Sequence, residues 1–301
     1  MAGAVRGWPA CETATPQAAR PTATTLDDIA EGSQLRSGVV HKHSDAQEVH
    51  EQAAKRFVQL AVAAIDRESR FTVALAGGST PRALYERLTR PPYRTQMDWS
   101  KVAFFWGDER CVAPSNVHSN YRMARAALLE PLAIVAQQVH RMPAEQDDLD
   151  AAARRYQSDI AQAFDVTPEG EPPCLDLVLL GLGADGHTAS LFPQTQALQE
   201  THRWVVPNAA PALQTCRLTM TPRIINRAAH VLFVVVGADK AGALAEVLEG
   251  PYAPQRLPAQ LISPASGRLE WLVDEPAARG LIPVASPRAG RPPPSVSYGD
   301  D

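Results

Sequence analysis

The chain has 301 residues, 45% of them hydrophobic, and a formal net charge of -4. That is enough apolar material for one large or two small domains, yet no apolar run approaches the roughly eighteen residues a membrane span requires. Lys and Arg are scattered, leaving no basic footprint for nucleic acid, and the four cysteines, Cys11, Cys111, Cys174 and Cys216, show no C-x-x-C pair or zinc spacing and read as free thiols in a reducing cytoplasm.

Residues 1 to 35 are rich in Ala, Thr and Pro without apolar periodicity, which predicts a disordered extension. Glu12, Asp27 and Asp28 argue against a transit peptide. The folded domain is expected over residues 36 to 283, with a Pro-rich solvated tail over 284 to 301. Ser44 opens a predicted helix, with a capping-box spacing to Gln47 and with Val49, Ala53, Phe57, Leu60 and Ala64 along one face. Then the period changes. FTVAL (71 to 75), VAFFW (102 to 106), LDLVLL (175 to 180) and VLFVVV (231 to 236) are short, continuous apolar runs, as strands buried on both faces require. Helical patterns lie at 81 to 89, 119 to 130, 148 to 164 and 239 to 248. This alternation predicts a single Rossmann-like α/β domain, its mostly parallel sheet covered by helices on both faces. Ligands of such folds gather beyond the carboxyl ends of the strands.

After the first run comes AGGSTPRALYERL, where Gly77 and Gly78 permit a tight turn and Ser79 or Thr80 can cap a helix opening with Pro81. Such a turn aims backbone N–H groups and a helix dipole at one spot, which suits a phosphate. The alternative is a capped turn without a ligand, and a Walker A loop is excluded by the missing G-K-[ST] ending. After the second run, GDER groups Asp108, Glu109 and Arg110; these form either a site or a solvated loop with an internal ion pair. Ser119 and Asn120 read as caps of the helix that follows, and His118 as a surface residue. After the third run, GLGADG matches the dinucleotide fingerprint formally. However, Pro193 truncates any helix after it, and Thr201 through Ala238 contain no acid for a ribose hydroxyl. The glycines instead present Asp185 and His187, and neutral imidazole is the natural base near pH 7.

AGGSTP, FFWGDERCV, SNYRMA, GLGADGHTASLFP and RLTMTP, in this order, resemble the 6-phosphogluconolactonase family over roughly residues 40 to 280. The resemblance implies hydrolysis of 6-phosphoglucono-δ-lactone to 6-phosphogluconate, in the oxidative pentose phosphate pathway, with no metal and no organic cofactor. It implies His187 as the base that activates water, Arg110 as a cation near the lactone oxygens and Asp185 as the group that orients the site. The substrate phosphate would sit on the Gly77, Gly78, Ser79, Thr80 turn, with Arg217 and Lys240 as charge partners and Asp108 among the substrate-binding residues. A monomeric cytoplasmic enzyme acting on a small phosphosugar lactone is expected, with no nucleic-acid or membrane partner. The runner-up is an amino-sugar-phosphate deaminase or isomerase of the same superfamily. In that branch an acid stands five residues after the histidine; here the position is Phe192, which can neither give nor take a proton. A sugar-phosphate sensor is less well supported, because the polar, Pro-rich extension carries no helix-turn-helix pattern. A serine nucleophile is disfavoured by the absence of a G-x-S-x-G elbow.

Overall fold

In the computed structural model, which describes residues 38–210 and 215–282, β1 (Val39–His43) leads into the long helix α1 (Ala46–Glu68). The expected extension over 1 to 35 and tail over 284 to 301 lie outside the described residues. The cap of α1 falls one residue later than the sequence suggested. Asp45 accepts from the Glu48 N–H at 2.9 Å, and the Glu48 carboxylate accepts from the Ser44 N–H and hydroxyl at 2.8 Å each. A carboxylate is the stronger acceptor, so Asp45 takes the capping position from Ser44.

Next come β2 (Phe71–Leu75), α2 (Ser79–Leu88), β3 (Val102–Trp106) and the short β4 (Asp108–Arg110). Helix α3 (Asn120–Ala124) is capped by the Ser119 hydroxyl, as expected, and widens into a π-turn over Arg125–Leu129. Then follow α4 (Leu149–Phe164), β5 (Leu177–Leu180), β6 (Val205–Ala210), β7 (Thr215–Met220), α5 (Pro222–Ile225), β8 (His230–Val235), α6 (Ala241–Glu249), β9 (Arg268–Asp274) and α7 (Glu275–Ala278).

Six of the strands form one sheet in the order β1-β9-β8-β5-β2-β3, with every neighbouring pair parallel. The four apolar runs supply its centre and one edge. β2 and β5 are buried at every residue, which explains why these strands have no polar alternation. β1 and β9 have no continuous apolar run: β1 is an edge strand reading VVHKH, and Glu270 interrupts β9. A second sheet, β4-β7-β6, is antiparallel. Among the described residues no helix is long and apolar enough to cross a membrane.

Two buried tyrosines finish the strands that lead to the site. The Tyr85 hydroxyl accepts from the Ala76 N–H and donates to the Ala76 carbonyl, both at 2.9 Å, and Tyr156 does the same for Trp106 at 2.8 and 3.2 Å. Each pairs the backbone groups of the residue just before a glycine, Trp106 at the end of β3 and Ala76 one residue beyond β2. The chain is thereby released into a turn at a fixed point.

Candidate active site

The sheet order sets the carboxyl ends of β8, β5, β2 and β3 side by side. At about 4.8 Å between neighbours, their four connections share one short edge.

The turn after β2 depends on its glycines. A Cβ on Gly77 would lie 1.9 Å from the Asn120 side-chain oxygen, and Gly78 has a φ of +106°. Neither Ser79 nor Thr80 caps α2: Gly78 occupies the N-cap, and both residues fall in the first turn. With no side chain satisfying the first N–H groups of α2, they remain available to an anion.

β4 and β7 pair so that Arg110 stands directly opposite Arg217. Arg217 therefore lies inside a strand and not after one. It is buried, donating to the Thr215 hydroxyl at 3.0 Å and the Cys216 carbonyl at 2.8 Å, while Arg110 donates to the His118 carbonyl at 2.7 Å. Among the described residues neither has a carboxylate partner. Burial, and then the neighbouring Arg110, pull the Arg217 guanidinium below its ordinary pKa. Like charges placed directly across a ladder destabilise it. Such an arginine couple can receive negative charge from a bound anionic ligand.

The acids of GDER are not solvated and do not pair with Arg110. Glu109 is 3% exposed and accepts from the Ser119 hydroxyl and from the backbone N–H groups of Arg110, Asn120 and Tyr121 at 2.7 to 3.0 Å. Burial raises its pKa, against the pull of those backbone donors. Asp108, expected to touch substrate, is 7% exposed and accepts from the Ser190 hydroxyl at 2.6 Å and the Asn120 amide at 3.0 to 3.3 Å through its carbonyl and carboxylate. It joins the His187 loop to the residue packed on Gly77.

In that loop, His187 Nδ1 lies 2.5 Å from the Asp185 carboxylate, whose pKa this hydrogen bond lowers. Nε2 has no protein partner among the described residues. A Cβ on Gly183 would lie 2.1 Å from Nδ1, so this glycine makes room for the histidine, while Gly186 has a φ of +80° and packs against Leu257. No helix follows them; Thr188 and Leu191 form an isolated bridge, as expected of a turn that is not a dinucleotide site. The Phe192 ring lies 4.7 Å from the imidazole. Three strands of the small sheet hold Ser190: its hydroxyl donates to Asp108, its N–H to the Thr219 hydroxyl at 3.2 Å, and its carbonyl accepts from Asn208 at 2.8 Å. Asn120, read from the sequence as a cap, instead binds Asp108 and packs on Gly77, and Ser190, Asn208 and Thr219 went unremarked because their partners are distant along the chain.

Lys240 occupies the turn after β8, at the same edge, with Nζ 2.9 Å from the Asp239 carboxylate. It is beside the site but engaged elsewhere. A cavity of about 650 Å³ lined by His41, Arg56, Arg268 and Glu270 lies at the opposite, amino edge of the sheet, where Arg56 is already bonded to Glu270. The facing arginines Arg110 and Arg217 lie at the carboxyl edge. Among the described residues no three His, Cys, Asp or Glu side chains converge as metal ligands.

The family of glucosamine-6-phosphate isomerases and 6-phosphogluconolactonases matches residues 44–271. A 6-phosphogluconolactonase of Synechocystis is 43% identical over 220 residues, which are 73% of this chain and 88% of the relative. One of Nostoc is 41% identical over 218 residues, 72% and 88% of the two chains. The solved structure of 6-phosphogluconolactonase from Trypanosoma cruzi superposes with a TM-score of 0.72 at 29% identity, covering 81% of this chain and 97% of its own. The chain thus belongs to the glucosamine-6-phosphate isomerase and 6-phosphogluconolactonase family.

Proposed function

We propose that the chain hydrolyses 6-phospho-D-glucono-1,5-lactone to 6-phospho-D-gluconate, a step of the oxidative pentose phosphate pathway. The observation that carries this reading is a histidine with one nitrogen held by a carboxylate and the other open, at the sheet edge that also presents two arginines without acidic partners.

Asp185 accepts the Nδ1 proton of His187, which makes Nε2 the basic nitrogen. Nε2 takes a proton from water as the water oxygen attacks the lactone carbonyl. Arg110 neutralises the resulting oxyanion. Collapse breaks the bond between the carbonyl carbon and the ring oxygen, and the imidazolium returns its proton to that oxygen. The phosphate rests on the Gly77 to Thr80 turn, with Arg217 and Lys240 as cations, and Asp108 acts from behind by holding Ser190 and Asn120. A positioned base contributes about 10² to 10⁴-fold and an oxyanion donor about 10² to 10³-fold, sufficient for an activated ester.

Amino-sugar-phosphate deamination is the second reading, since the family includes isomerases. Phe192 against the imidazole disfavours it, because ring opening and proton transfer between carbons need an acid as well as a base. The deciding experiment supplies freshly generated lactone in a coupled dehydrogenase assay and, separately, glucosamine 6-phosphate. Lactone hydrolysis that survives exhaustive chelation, with no ammonia release, is the expected result. Ammonia release at a comparable rate would reverse the assignment, and loss of activity on chelation would overturn the metal-free mechanism. The expected cytoplasmic monomer is checked by fractionation and by light scattering.

A further inference from the structure

We propose that Cys111 and Cys216 are a redox modification site: a dithiol that closes to a disulfide across the end of the β4–β7 ladder and weakens the arginine pair next to it. Continuing the register in which Arg110 faces Arg217 places Cys111 opposite Cys216, and the Cys111 N–H donates to the Cys216 carbonyl at 3.3 Å. Facing residues of an antiparallel pair project to the same side of the sheet. A hydrogen-bonded pair has Cα atoms about 5.5 Å apart, within the roughly 4.4 to 6.8 Å that disulfides span. The Cβ atoms must close to about 3.8 Å, which requires local rotation. The position permits it, because Cys111 is the first residue beyond β4 and its hydrogen bond is a long one at the open end of the ladder.

Access and chemistry define an order of events. Cys216 is exposed and Cys111 partly buried. Burial, and next the Cys216 thiol, push the Cys111 pKa up to about 11, so Cys216 is the thiol that reacts first. Its thiolate attacks a small-molecule disulfide of the glutathione class, breaking that S–S bond and expelling one thiolate. Cys111, deprotonated, attacks the Cys216 sulfur of the mixed disulfide and expels the second. Two protons leave, the protein dithiol loses two electrons, and the oxidant becomes two thiols. Cys174, just before the amino end of β5, is at the other edge of the sheet from this pair.

The coupling runs through one atom. The Cys216 carbonyl accepts both the Cys111 N–H and the Arg217 guanidinium at 2.8 Å. Drawing the two sulfurs together rotates that carbonyl and withdraws a hydrogen bond that aims Arg217. The kinetic consequence rests on the lactonase reading; the disulfide itself does not.

The full-length chain is equilibrated with oxidised glutathione, denatured, alkylated and weighed. The reduced chain, with four cysteines, takes four alkyl groups; the oxidised chain is expected to take two, with Cys111 and Cys216 joined in the peptide map. Oxidation is expected to raise KM for the phosphorylated lactone about fivefold or more, a modest coupling between sites, with dithiothreitol restoring it. Cys111→Ser and Cys216→Ser should keep the reduced chain's KM and lose the response. Four alkyl groups after oxidation, or a map joining other cysteines, overturns the site. A disulfide at these positions with unchanged KM overturns the coupling alone. Absence of any lactonase activity in the reduced chain overturns the functional reading and leaves the mass result standing.

Discussion

The two sheets contribute to the site in different ways. In the large parallel sheet β2, β3, β5 and β8 end in apolar residues, and the candidate site groups lie in the turns beyond them, Gly77 to Thr80 after β2 and Asp185 to His187 after β5. The small antiparallel sheet carries its candidate residues within the strands: Arg110 in β4 and Arg217 in β7, with Thr219 and Asn208 as braces. A turn can be shaped locally by glycines, whereas a strand residue is placed by its partners across the ladder. The first arrangement therefore leaves a contiguous motif, and the second leaves almost none.

If this division is also one of labour, changing the turn-borne histidine should stop chemistry and spare binding. His187→Asn is expected to lower kcat/KM by about 10² to 10⁴-fold with little change in KM, measured by steady-state kinetics on fresh lactone. A loss under about tenfold would remove His187 as the base.

The strand-borne cation should show the reverse pattern. Arg217→Ala removes charge-assisted contacts worth about 1.5 to 3 kcal/mol and is expected to raise KM by roughly 10 to 150-fold at nearly constant kcat. Lys240, which hangs from a turn and already has Asp239 as a partner, should matter less, with a rise of a few-fold. Equal effects from the two alanines would erase the distinction between strand-borne and turn-borne cations.

The last expected effect is on stability and not on kinetics, at the amino edge of the large sheet. His230 opens β8 with an orphaned Nδ1, and burial, followed by Arg56, drives its pKa from 6.5 to about 4. Between those values the folded chain binds fewer protons than the unfolded one. Its contribution is thus complete above pH 6.5 and is lost as pH falls toward 4, with a slope of at most about 1.4 kcal/mol per pH unit. Urea titrations across this window should show a flatter slope for His230→Gln. An unchanged slope would assign the acid lability to other groups.

The parallel sheet was legible because burial on both faces forces continuous apolar runs: FTVAL and VAFFW match β2 and β3 residue for residue. The edge strand β1 and the interrupted β9 were not, since VVHKH and RLEWLVD present no such run. At the site, GLGADGH could be read because Gly183 is required by the histidine beside it and Gly186 by the left-handed turn just before that histidine. The acids of GDER were left open between a site and a solvated loop for the opposite reason. A carboxylate is solvated or buried according to donors supplied from far along the chain, here Ser190 for Asp108 and the start of α3 for Glu109. No local spacing announces Asn120 packing on Gly77.

The facing of Arg110 and Arg217 also bears on what happens after the ring opens. On the proposed mechanism the lactone carbonyl is uncharged, but its hydrolysis leaves a carboxylate at the point where Arg110 would meet the transient oxyanion. The product therefore departs against an attraction that the arriving ring did not feel, and the arginine that speeds the bond-breaking step slows the exit. Turnover at saturating substrate should be governed by product escape, and moderate salt, which screens charges separated by more than about 8 to 10 Å, should weaken long-range capture of the phosphorylated substrate before it loosens the contact that holds the product.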